Sequence, residues 1–69
     1  MTPAILRQLW SVVEATQAHT LLKLDDASLV QWLIKQTTTK TSLDGSQTDV
    51  LSDYIRSRLS LIRDLAQDR

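Results

Sequence analysis

The stretch Leu24-Asp25-Asp26-Ala27-Ser28-Leu29-Val30-Gln31-Trp32-Leu33-Ile34-Lys35 decides the fold. An acidic residue able to cap a helix stands between Leu24 and Leu29 at the spacing of a hydrophobic staple. With Asp25 as N-cap, Asp26 falls in the first turn, where negative charge complements the helix dipole. At 100° per residue, Leu29, Val30, Trp32, Leu33 and Ile34 then cover about 200° of the helix surface. Ser28, Gln31 and Lys35 are left as its polar side. A short helix this apolar belongs between other elements, not on top of them. The expected class is therefore all-α: a small helical bundle.

Working outward toward the N-terminus, Thr2-Pro3 is a helix start, a capping hydroxyl followed by a ring with a preset φ. Ile5, Leu6, Leu9, Trp10, Val12 and Val13 cover about 160° of that helix, and no glycine marks its end. Toward the C-terminus, Gln36 to Ser42 is polar and contains Thr37-Thr38-Thr39, a run poor in helix formers. It reads as a loop running on through the only glycine, Gly45. A further helix starts near Asp44 or Ser46, with Ser46-Gln47-Thr48-Asp49 in the form of a capping box. Its apolar residues run from Val50 to Ala66 and cover about 160–180°. The pattern predicts a single domain, 1–69, with helices over about 3–20, 26–36 and 46–67 and a loop over about 37–45. The order is long helix, short helix, loop, long helix.

Composition narrows the class further. The chain has 69 residues, eight basic and eight acidic side chains, one His and no Cys. Disulfide frameworks, zinc-finger clusters and thiol nucleophiles are excluded. No uninterrupted apolar stretch approaches the roughly 20 residues of a membrane helix, and no targeting segment is evident, so the expected setting is the cytoplasm without membrane contact. A core this small seldom supplies more than about 3–5 kcal/mol without a staple, which leaves efficient helix packing or oligomerisation. Both long helices show apolar arcs wider than a two-helix seam needs. The bundle is expected to be completed by dimerisation, a monomeric three-helix bundle being the alternative.

Arg58 lies between Leu51, Ile55, Ile62 and Leu65 on the helical wheel, near the centre of the last apolar stripe. Three readings follow: a snorkelling side chain, an ion pair fixing register across a subunit interface, or contact with an anionic ligand. Trp10 and Trp32 are candidate anchors, core by default and interface hot spots otherwise. Together these seven residues form the candidate interface. Thr16, central on the first arc, is expected to bond back to its own helix, and His19 has no second His or Cys with which to hold a metal.

No catalytic constellation, cofactor motif or metal site is found. Of the seven Asp, Asp25, Asp26, Asp44, Asp49 and Asp53 lie at or early in helices, where capping and the helix dipole explain them, while Asp64 and Asp68 lie near the end of the last. Asp25-Asp26 is no metal pair, because adjacent side chains diverge and no oxygen-rich loop follows. Arg56 and Arg63, seven residues apart, are candidate contacts to an anion or nucleic acid. Zero net charge and the bordering Asp53 and Asp64 oppose that role, and the connecting loop is too long for a helix-turn-helix. The expected function is a non-enzymatic protein-interaction or regulatory module acting through a homo-oligomeric helical surface. A small nucleic-acid-binding regulator is the alternative, and an accessory subunit of an enzyme complex a weaker one.

Overall fold

Helices begin where local capping chemistry places them. The computed structural model describes residues 2–68; Met1 and Arg69, the ends of the expected domain, lie outside the described residues. Five helices, and no strand, are found there: α1 (Pro3–Ala15), α2 (Ala18–Lys23), α3 (Asp26–Lys40), α4 (Gly45–Ser57) and α5 (Leu59–Gln67). Thr2 caps α1, accepting from the Ile5 N–H at 3.3 Å, with Pro3 in the first position. Asp25 caps α3, accepting from the Ser28 N–H at 2.8 Å. Asp44 caps α4 in a capping box: its carboxylate accepts from the Gln47 N–H at 2.7 Å, and Gln47 Oε1 accepts from the Asp44 N–H at 3.3 Å. The box is thus built two residues earlier than Ser46–Asp49.

The two long helices expected from periodicity are each broken. The first breaks at Thr16-Gln17, whose ψ angles of 140° take the backbone into extended geometry. Thr16 Oγ1 donates to the Val12 carbonyl at 2.6 Å, the back-bonding expected of it, and here the helix also stops. The second breaks at Arg58, which ends α4 and starts α5 with φ −115° and ψ 8°. In a continuous helix the Arg58 N–H would bond to the Tyr54 carbonyl. That carbonyl instead accepts from the Ser57 hydroxyl at 2.8 Å, and the Arg58 N–H turns to Ile55 at 3.0 Å. Hydroxyls that bond back to the preceding turn are known to bend helices.

The expected loop over 37–45 is mostly helix. α3 runs to Lys40 and, with 15 residues, is the longest helix described. Threonine's weak helix propensity is overridden by packing, because Thr37 is fully buried. Thr38 and Thr39 satisfy their hydroxyls on the carbonyls of Lys35 and Gln36. The Thr37 hydroxyl has no hydrogen-bond partner among the described residues.

α3 packs against both α1 and α4, the central place its apolar girth called for, and α2 packs against α5. One cluster joins Ile5, Leu9, Val12 and Val13 of α1, Leu21 of α2, Leu29, Val30, Leu33 and Ile34 of α3, Leu51 and Ile55 of α4, and Ile62 and Ala66 of α5. The radius of gyration is 11.2 Å, against about 11 Å for a fully folded chain of this length. The two breaks turn the wide apolar arcs into four shorter helices, and the core closes within one chain. A second chain is not needed to fill it.

Candidate interaction surface

The residues of the candidate interface separate into three groups. Leu51, Ile55 and Ile62 are fully enclosed by their own chain, so their apolar surface is not open to a partner. Trp10 and Trp32 are half-buried, each packed against the core. Arg58 and Leu65 are exposed. Arg58, near the centre of the stripe on a continuous wheel, lies at the joint between α4 and α5 with its side chain exposed.

A polar and aromatic chain links that joint to α1. The Trp10 indole N–H donates to the Tyr54 hydroxyl at 3.1 Å, and the two rings meet edge to face, 6.4 Å apart. The Arg58 guanidinium lies over the Tyr54 ring, 5.2 Å from its centre. Such a contact restrains the head of a long side chain while leaving it in water.

Arg63 is occupied differently. One of its terminal nitrogens donates to the Leu24 carbonyl at 3.0 Å and to the Asp26 carboxylate at 2.7 Å. It therefore ties α5 to the corner between α2 and α3. Arg56 and Arg63 both lie near Asp26, which Arg63 pairs with directly. Arg56 is exposed, but the cavity of about 370 Å³ that it lines also contains Asp26. A second groove, of about 340 Å³, runs between the ends of α1 and α3, with Trp32, Thr20, Gln36 and Lys40 in its walls. Among the described residues no cluster of three or more His, Asp or Glu could hold a metal ion, and no helix is long and apolar enough to cross a membrane.

Among the described residues the large apolar side chains left exposed are Leu22 at 38%, Val50 and Leu61 at 45%, and Leu65 at 43%. Leu61 and Leu65 are one turn apart on α5, along the flank of the face that buries Ile62 and Ala66. Leu61, Leu22 and Val50 are absent from the interface expected from sequence. A signal for them was present: on a continuous wheel, Val50, Tyr54, Leu61 and Leu65 fall along one edge of an arc about 160–180° wide. That edge is what the core leaves uncovered.

No protein-family model, curated protein or solved structure matches the chain.

Proposed function

We propose that the chain is a non-enzymatic interaction or regulatory module, working in the cytoplasm as a homodimer through a helical surface. The observation that carries this reading is the outer strip of α5, where Leu61 and Leu65 stand side by side in solvent. Covering an exposed apolar pair is favourable, and adding it to the chain's own core is impossible without undoing α5. The dimer proposed is an association of folded chains, unlike the bundle completed by dimerisation that the apolar arcs suggest.

The alternative of nucleic-acid binding has less support. It needs Arg63 to leave Leu24 and Asp26, and Arg56 shares its cavity with a carboxylate. An accessory subunit would use the same α5 strip on a different chain.

The test is absolute mass in solution over a wide range of protein concentration, for the wild type and for Leu61→Glu. The wild type is expected to move from one-chain to two-chain mass as concentration rises. Leu61→Glu is expected to stay at one-chain mass with unchanged helical circular dichroism. A wild type that stays at one-chain mass throughout overturns the homodimer.

A further inference from the structure

We infer that two copies pair through α5 in antiparallel register, with Arg58 of each against Asp68 of the other, an inference that rests on the homodimer proposed above. The charges on α5 are in the wrong order for that helix alone. A cation, Arg58, stands at its N-cap, where it also closes the C-terminus of α4, and an anion, Asp68, stands at its C-cap. No acidic residue lies in the first turn and no basic residue in the last. Each end charge therefore opposes the helix's own dipole. Beside an antiparallel copy the same charges are in the right order: Arg58 meets the partner's negative C-terminus, and Asp68 the partner's positive N-terminus.

The spacing of the leucines agrees. Arg58 precedes Leu61 by three residues, and Asp68 follows Leu65 by three. A two-fold axis near Arg63 sets Leu61 against the partner's Leu65, and this alone brings Arg58 opposite the partner's Asp68. In such an isologous contact every interaction occurs twice. A parallel pairing would instead oppose Arg58 to Arg58 and Asp68 to Asp68. An antiparallel axis moved to the α4–α5 joint would again oppose the two arginines. Arg58, Leu61, Leu65 and Asp68 are all exposed, so no rearrangement of the core is required. The contact with Tyr54 holds the guanidinium near the joint, which lowers the entropy lost when it pairs.

One residue works against this arrangement. Asp64 is exposed, flanks the leucine strip and lies next to the axis, so the two copies of Asp64 face each other along one flank. Removal of that charge should tighten the pair.

The experiment is a charge-reversal cycle measured by sedimentation equilibrium on the full chain, with circular dichroism to confirm folding. Arg58→Glu and Asp68→Arg are each expected to weaken the dimer about fivefold to tenfold, and the double reversal to restore it to within about threefold. Asp64→Asn is expected to strengthen it. Weakening by both single variants without restoration in the double variant overturns the register while leaving the homodimer intact, provided Leu61→Glu still abolishes it. Indifference to all three charges, with Leu61→Glu still monomeric, overturns it equally. A monomeric wild type removes the homodimer and the register together.

Discussion

The corner at Leu24–Asp25 and the step at Arg58 each end one helix and begin another, with different materials. At the corner, local chemistry does the work: the Asp25 carboxylate accepts the Ser28 N–H, and Asp26 adds charge in the first turn. At the step there is no side-chain cap, only the Ser57 hydroxyl on the Tyr54 carbonyl and a single residue out of helical geometry. The corner is specified within a few residues of chain. The step depends on what α4 and α5 pack against. Hydroxyl back-bonding does not by itself break a helix, since Thr38 and Thr39 do the same near the end of α3 without interrupting it.

The largest effect should come from removing the packing that holds the step. Ile62, the first fully buried residue beyond it, is enclosed in the core, and Leu21 of α2 is its counterpart beyond the Thr16–Gln17 break. Ile62→Ala or Leu21→Ala should each cost about 2–5 kcal/mol, much of what a chain this size possesses. Because α2 packs on α5, either substitution should lower hydrogen-exchange protection in both helices. Loss confined to the mutated helix would show that the two are held separately.

A middle-sized effect should come from Arg63, whose side chain hydrogen-bonds α5 to the corner. Arg63→Met should cost about 1–2 kcal/mol, read as a shift in the chemical-denaturation midpoint. Asp26→Asn should cost under about 1 kcal/mol, because the Asp26 side chain is 79% exposed and the surface ion pair is a weak part of the tie. Equal losses from the two would assign the tie to the ion pair and not to the Leu24 carbonyl.

The smallest effect concerns the corner's cap. The Ser28 backbone N–H holds the Asp25 carboxyl below its ordinary value. A carboxyl depressed in the folded state stabilises above its unfolded value, and this contribution disappears as pH falls through the folded one. Asp25→Asn keeps a capping oxygen but loses the charge. The wild type should be slightly the more stable at neutral pH, with the gap closing in acid. A gap that persists through acid denaturation would show that charge is not its source.

The elements legible in the sequence are those whose chemistry closes within about four residues. Thr2, Asp25 and Asp44 are all N-caps, and the girth of α3 does place it between α1 and α4. The breaks were hidden because neither Thr16-Gln17 nor Arg58 contains Gly or Pro, and apolar periodicity continues across both. Only the hydroxyls of Thr16 and Ser57 hint at them. Thr37 was hidden for the opposite reason: its poor propensity is local, whereas its burial is tertiary. The surface suffered in proportion. Leu51, Ile55 and Ile62 share a wheel sector with Arg58, but the joint leaves the leucine and isoleucines inside and the arginine outside. Leu65 is legible as surface in the sequence and Leu61 is not, because an arc's edge becomes surface only once the core beneath it is complete.

The bond between Trp10 and Tyr54 gives the protein a built-in optical gauge. The two indoles sit in separate places, Trp10 against a phenol of α4 and Trp32 in the groove wall formed with α1. Near-ultraviolet dichroism from Trp10 therefore reports whether α1 and α4 are in contact, while Trp32 reports the seam between α1 and α3. A change in one signal without the other distinguishes a molecule opening along one seam from a molecule coming apart as a whole.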